Sequence, residues 1–276
     1  SRSRVGSGGI TPALSRLQVA CGACIECVTH YRRAWAVRGI HELASHQEAS
    51  FLTLTFRDED LQDYYGNGHA TLDPQHFSLF IRSLRKRTGR KLRYIMCGEY
   101  GSKFGRPHYH VILYGFRPTD LRPVHDAPPQ SDLLSLVWPY GTHDVGEVTP
   151  ASVAYTVGYT IDKLHDATTR QAYIERGQHP PFIRVSTRPG IGHDYALKYS
   201  DDARLGFYRD SSGTYGIPRY YRKLFERFRF PLFHSLSVKS DIYATSDTSF
   251  IRSSPSQLSA RSELSFSIHS QSSSIL

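Results

Sequence analysis

The chain has 276 residues, 39% hydrophobic and 12% aromatic, which is enough to bury a full core in one or two domains and too much for a wholly disordered chain. Its 34 Lys and Arg outweigh 25 Asp and Glu, and the resulting charge of +9 favours a polyanionic partner, nucleic acid first. No run reaches the roughly 20 apolar residues of a membrane span, and the arginine-bearing N-terminus lacks the apolar core of a secretory signal.

In chain order, residues 1–17 are polar and Gly/Ser-rich and are expected to form a flexible N-terminus. Residues 18–48 form a Cys-containing helical segment. "CGACIEC" holds Cys21, Cys24 and Cys27, and Trp35, Val37, Ile40 and Leu43 then recur at helical spacing. Disulfide frameworks spread their cysteines, so this clustering points to a reducing compartment with metal or free thiols. "SFLTLTF" (50–56) is a β-branched and aromatic strand, followed by an acidic turn and a Gly-Asn-Gly loop. "DPQHFSLFIRSLRKRTG" is a helix with an Asp-Pro start, apolar Phe77, Phe80, Ile81 and Leu84, and a terminal Gly89.

"KLRYIMCGEYG" and "HYHVILYGF" read as successive strands. A Pro-rich loop spans 117–130, a short helix covers 131–138, and "GTHDVGEV" is a further strand. In "TPASVAYTVGYTIDKLHD" (149–166), Thr149 as cap and Pro150 at the first helical position predict a helix. Beyond it the periodicity fades into segments rich in Gly, Pro, Arg and Tyr. From Ser235 onward 16 of 42 residues are Ser, so residues 234–276 are expected to be a disordered tail. The mixed order, with antiparallel neighbours, argues an α+β fold, a central antiparallel sheet flanked by helices.

Alternation along a strand projects His108 and His110 from one side and Tyr109 from the other. If the two strands pair around "SKFGRP", Glu99 lies beside both rings. Two nitrogens and one carboxylate then leave positions for substrate oxygens on Mg2+ or Mn2+ acting as a Lewis acid. By itself a His-x-His pair is more often two surface or hydrogen-bonded histidines. Tyr155, Tyr159 and Lys163 fall at i, i+4 and i+8, one stripe of a helix. A tyrosine oxygen can attack phosphorus and form a covalent ester, with a lysine stabilising the developing charge. The alternative is an aromatic stripe packing on the sheet.

Cys21, Cys24 and Cys27 supply three of the four ligands of a structural Zn2+ site, with Cys97, His30 or His41 as the fourth; a thiol stripe packed in the core is the alternative. "RSLRKRTGRKLR" carries Arg82, Arg85, Lys86, Arg87 and Arg90, and "PRYYRKLFERFRF" interleaves Arg219, Arg222 and Lys223 with Tyr220, Tyr221 and Phe225. Together with Arg106, these are the candidate DNA contacts, through phosphates and base stacking. A solvated helix face explains the first run equally well.

The conjunction of motifs adds a resemblance. "FLTLTF", "GEYG…GRPHYH" and "YTVGYTIDK", in that order, resemble the three motifs of the HUH rolling-circle replication endonucleases. "CGACIECVTHYRRAWAVR", "RPGIG" and "IPRYYRK" resemble the replication initiator proteins of gokushovirus-type microviruses, and the likeness runs from about Val19 to Phe230. The resemblance implies an HUH endonuclease domain over 49–233 with an RNA-recognition-motif-like core. Glu99, His108 and His110 match its metal ligands, Tyr155 and Tyr159 its paired nucleophiles, and Lys163 its downstream lysine. Two positions depart from the pattern: Tyr109 is bulkier than the usual aliphatic, and Asp162 stands where many relatives have lysine.

The implied activity is site-specific nicking and joining of single-stranded DNA through a 5′-phosphotyrosine, to start and terminate rolling-circle replication. The implied setting is the cytoplasm of a bacterial host, with the phage origin, host helicase and host polymerase as partners and no membrane. No G-x-x-x-x-G-K-[ST] loop is present, so unwinding would fall to a host protein. The rival readings are a non-catalytic single-stranded DNA-binding replication factor and a metal-dependent phosphodiesterase that uses water.

Overall fold

The computed structural model describes residues 21, 24–61, 70–101, 105–125, 127–165, 167–210 and 213–228. The expected flexible N-terminus and Ser-rich tail lie outside the described residues. The elements in order are α1 (Ile25–Leu43), β1 (Ala49–Phe56), α2 (Asp58–Leu61), α3 (Pro74–Thr88), β2 (Arg93–Tyr100), β3 (Pro107–Tyr114), β4 (Leu121–Val124), β5 (Ala127–Ser131), α4 (Asp132–Val137) and β6 (Gly141–Gly146). There follow α5 (Pro150–His165), α6 (Ala167–Glu175), β7 (Phe182–Val185), α7 (His193–Lys198), a 3-10 turn (Asp202–Leu205), β8 (Phe207–Asp210), β9 (Gly213–Gly216) and α8 (Arg219–Phe228). Among the described residues no helix is long and apolar enough to cross a membrane.

The fold is α+β. Five strands form one antiparallel sheet in the order β6-β1-β3-β2-β7, with helices on both faces. Alternation decides which side chain meets which helix. Leu52, Leu54, Met96, Tyr109, Val111 and Leu113 form one face and pack on Phe77, Phe80 and Leu84 of α3 and on Trp138. Ile95, Ile112 and Tyr114 form the other face and pack on Val28 of α1 and on Val153 and Val157 of α5. β3 lies centrally and is almost wholly buried, which is why its sequence reads as a nearly continuous apolar run.

Local signals set the helix ends. The Asp73 side chain accepts from Gln75 N at 2.7 Å to start α3, and Gly89 closes it at φ 66°. Thr149 Oγ1 accepts from Ser152 N at 3.1 Å, and Ser152 Oγ accepts from Thr149 N at 2.9 Å, a reciprocal cap on α5. α1 approaches α5 and the sheet through Gly39, where a Cβ would stand 2.5 Å from Val153 Cγ1. A third core cluster joins α7, β8, β9 and α8, with Tyr208, Tyr221 and Phe225 at its centre. It leans on α1 through His41, which stacks on Tyr195 at 3.8 Å and shares a 3.2 Å hydrogen bond with Tyr221.

Three features depart from the sequence reading. The Pro-rich segment 117–130 is a two-stranded ribbon, β4 against β5, and not a plain loop. β7 adds a fifth strand at the sheet edge, and β8–β9 form a hairpin. None of these strands buries a regular face: β4 is exposed throughout and β7 has only four residues, so no alternation marks them.

Glu42 fastens the last turn of α1 to the sheet and to the turn before α7. It pairs with Arg93 of β2, with His46 at 3.0 Å, and accepts from Gly192 N at 2.6 Å. Burial pushes its carboxyl upward, but the bonds from His46, Arg93 and Gly192 outweigh that and bring it down to about 2. A carboxylate lowered on folding stabilises above its unfolded range, and that stability is lost as pH falls towards 2. We therefore expect Glu42→Gln to lose about 3 kcal/mol in urea unfolding at pH 7. The variant's stability should also fall less steeply than wild type between pH 5 and 3 (a window of order two units around the ordinary carboxylate pKa).

Candidate active site

β2 and β3 pair in a register that sets Glu99 opposite His108 and Cys97 opposite His110. On the other side of β3, Thr53 of β1 lies opposite His110 and Thr55 opposite His108. All project onto the face covered by α1 and α5. His108 Nε2 stands 3.1 Å and His110 Nε2 3.0 Å from the same oxygen, Glu99 Oε1. The three ligand atoms lie within 4.8 Å of one another. Tyr109 does face away: it is fully buried on the opposite face and donates to the Asp73 carbonyl at 2.8 Å.

The far sides of the rings are held by the protein. His108 Nδ1 lies 3.0 Å from the Arg106 carbonyl, and His110 Nδ1 lies 3.0 Å from Thr53 Oγ1. Phe51, two residues before Thr53 on the same strand face, stacks on His110 at 5.5 Å. Thr53 and Phe51 were missed as site residues by motif reading, although the alternation of "FLTLTF" places them on the histidine face.

The protons in this site decide what it can hold. A carbonyl only accepts, so His108 Nδ1 donates to Arg106 and a neutral His108 ring turns a lone pair from Nε2 towards Glu99. Glu99 is only 2% exposed, and its second oxygen, Oε2, is buried with no hydrogen-bond partner among the described residues. Burial pushes its carboxyl upward, yet the bonds to His108 and His110 outweigh that and lower it to about 2, so it is a carboxylate at neutral pH. Burial pulls His110 below its ordinary value against the opposing pull of Glu99, which favours the neutral ring. Lone pairs and a buried negative charge that converge without matching protons call for a cation between them. Two imidazole nitrogens and one carboxylate are a donor set for a divalent metal, with each imidazole oriented from behind as metal-ligating histidines are.

Tyr155 of α5 reaches this cluster. Its hydroxyl donates to Glu99 Oε1 at 3.2 Å and lies 3.4 Å from His110 Nε2, and its ring meets His110 edge-on at 5.1 Å. Positions 159 and 163 follow on the α5 backbone, one and two turns later; the side chains of Tyr159 and Lys163 lie outside the described residues.

The remaining candidates separate. Cys21, Cys24 and Cys27 come together in a second group, while Cys97 is fully buried in the sheet and His41 sits in the tyrosine cluster of α7 and α8. Arg82, Lys86 and Arg87 are exposed on α3, which covers the sheet face opposite the histidines. Arg85 bonds the Leu92 carbonyl, Arg90 pairs with Glu48, and Arg93 of the same basic run turns inward to Glu42. Arg106 donates to the Phe56 carbonyl at 2.7 Å and pairs with Asp58, which steadies the approach to His108. Arg219, Arg222 and Lys223 are exposed on α8, beside α1 and on the histidine side of the sheet. There Arg38 of α1 lies 4.1 Å from the Trp35 ring and 4.3 Å from the Tyr220 ring.

Comparison with known proteins falls on the same segments. The family model for replication-associated proteins of the ORF2 type matches residues 49–164, from β1 to the end of α5. The chain is 30% identical to replication-associated protein VP4 of Bdellovibrio phage phiMH2K, over 79% of this chain and 70% of that protein. It is 31% identical to replication-associated protein ORF2 of Spiroplasma virus 4, over 76% of this chain and 68% of that protein. With replication-associated protein ORF4 of Chlamydia phage 1 it shares 28% identity, over 75% and 53% respectively. No solved structure matches the chain at a significant level. With two relatives at this identity aligned over more than two thirds of their length, the chain belongs to the family of replication-associated proteins of gokushovirus-type microviruses.

Proposed function

We propose that this replication-associated protein is an initiator that nicks and rejoins single-stranded DNA at the phage origin, with Tyr155 as a nucleophile and residues 49–233 as its HUH-type endonuclease domain. The observation that carries the reading is the Tyr155 hydroxyl within 3.4 Å of two of the three converging ligand residues, Glu99 and His110. Family membership and the +9 charge support it from independent directions.

Glu99, His108 and His110 would hold a divalent ion, Mg2+ or Mn2+, and such an ion when bound supplies Lewis-acid polarisation of a phosphodiester. The chain's own residues do the rest. The hydrogen bond to Glu99 fixes the Tyr155 oxygen beside the ligand set and gives its proton a carboxylate acceptor. The phenolic oxygen forms a bond to phosphorus as the bond from phosphorus to the 3′ oxygen breaks. The 5′ end is left as a phosphotyrosine, and the departing oxygen takes up a proton to become a priming 3′-OH. Tyr159, one turn further along α5, is positioned in sequence to repeat the exchange after one round and release a closed circle. Lys163 supplies the cation for the developing charge. Arg219, Arg222 and Lys223 contact the strand on the histidine side of the sheet, and Arg82, Lys86 and Arg87 contact duplex or strand on the far side. The reaction belongs to the bacterial host cytoplasm, with host helicase and polymerase acting at the opened origin.

With circular single-stranded phage DNA and Mn2+, the wild-type protein should yield a covalent protein–DNA adduct on denaturing gels, and the Tyr155→Phe/Tyr159→Phe variant none. An undiminished adduct overturns the assignment, and free 5′-phosphate ends in its place would identify water as the nucleophile. Thr53→Val removes the support behind His110 and should weaken Mn2+ binding about 10- to 100-fold in calorimetric titration, with little loss of thermal stability.

A further inference from the structure

Apart from the histidine cluster, one other group of side chains converges with ligand geometry, at the start of α1. We infer that Cys21, Cys24 and Cys27 bind a single thiophilic divalent ion, of which Zn2+ is the biological representative, and that this ion clamps the first turn of α1 against α5. The inference does not depend on the nuclease reading.

Three observations carry it. The Sγ atoms of all three cysteines lie within 4.8 Å of one another, and those of Cys21 and Cys27 are 3.9 Å apart. Sulfurs on a tetrahedral zinc ion, each about 2.3 Å from the metal, stand about 3.8 Å from one another. A four-iron cluster attaches each cysteine to a different iron and holds the sulfurs farther apart, so the spacing selects a single ion. Secondly, the Cys24 backbone N–H donates to Cys21 Sγ at 3.2 Å, the arrangement that favours a thiolate at that sulfur. Thirdly, Cys24 is the N-cap residue of α1 yet makes no side-chain capping bond, so its sulfur serves the cluster and not the helix end. None of the three is in a disulfide, and Cys21 and Cys24 are exposed, which is the opposite of a thiol stripe packed in a core. The Glu26 carboxylate accepts from the Cys24 thiol at the rim, so it or a solvent oxygen is available as the fourth ligand.

The placement gives the ion a structural consequence. One residue beyond Cys27, Val28 is buried with Val153 and Val157 of α5, and Arg32 on the next turn lies against Gly158, where a Cβ would stand 3.6 Å from its Nε. Both contacts touch the stretch of α5 that carries Tyr155. A helix whose first turn is tied by metal frays less and holds that contact surface in place.

The full-length protein, loaded with Co2+ in place of zinc, should show the near-ultraviolet thiolate-to-cobalt charge-transfer band, and added Zn2+ should bleach it. The band should persist in His108→Ala/His110→Ala, which removes the other ligand group, and vanish in Cys21→Ser/Cys27→Ser. Because the serine variant can misfold, thiol titration of the unmutated protein provides a second readout. Three thiols should be slow to react with a thiol reagent when zinc is bound and fast after chelation. Absence of the band in wild type, its survival in the serine variant, thiol reactivity indifferent to zinc, or recovery of iron with acid-labile sulfide would each overturn the inference. Loss of the DNA adduct in Tyr155→Phe/Tyr159→Phe has no bearing on these readouts, so the two proposals fail separately.

Discussion

The antiparallel pairing of β2 with β3 places one carboxylate and two imidazoles at adjacent positions on a sheet face that is otherwise apolar, and the helices on that face follow from it. Further along the same strands the face continues as Ile95, Ile112 and Tyr114, which pack on α1 and α5. A strand buried on both sides tolerates polar groups only where they satisfy each other. At the histidine end they do so incompletely: Glu99 is held charged by its neighbours while one of its oxygens lacks a partner. The demand for a positive charge at that point is a property of the fold, and α5 is the element that brings Tyr155 to it.

The opposite face shows what the sheet does without chemistry. Tyr109 lies between the two histidines in sequence, yet its ring joins the α3 core, with its hydroxyl satisfied by the Asp73 carbonyl. Its bulk therefore costs the site nothing. The same separation of faces divides the arginines: those on α3 are set apart from the histidines by the thickness of the sheet, and those on α8 share their side. Basic runs that look alike in sequence thus occupy unlike positions.

Much of this was legible because strong signals are local. Asp73-Pro74 with Gly89, Thr149-Pro150, and the β-branched run from Phe51 to Phe56 each mark an element through backbone chemistry within a few residues. The pairing of Glu99 with the histidines followed from two successive strands and a short loop. The ribbon of β4 and β5, the edge strand β7 and the hairpin of β8 and β9 were not legible, because they bury no continuous face and are held by neighbours distant in sequence. Thr53 and Phe51 went unnoticed for a related reason: they carry no unusual chemistry, and only the register of β1 against β3 makes them supports for His110.

Sequence by itself determined the identity and spacing of the reactive groups, namely His108 with His110 at strand period, Tyr155 with Tyr159 at helix period, and three cysteines within seven residues. Periodicity is a property of the backbone, so these groupings hold wherever their element forms. Tertiary structure alone decided which groups meet. It set both imidazoles on one oxygen of Glu99, brought Tyr155 to that oxygen, buried Cys97 away from the other cysteines, and turned Arg93 inward to Glu42. Those outcomes depend on strand register and helix packing across more than forty residues of chain, at the least between Glu99 and Tyr155. Contacts at that range are selected by burial and charge compensation in the assembled core, which no local pattern encodes.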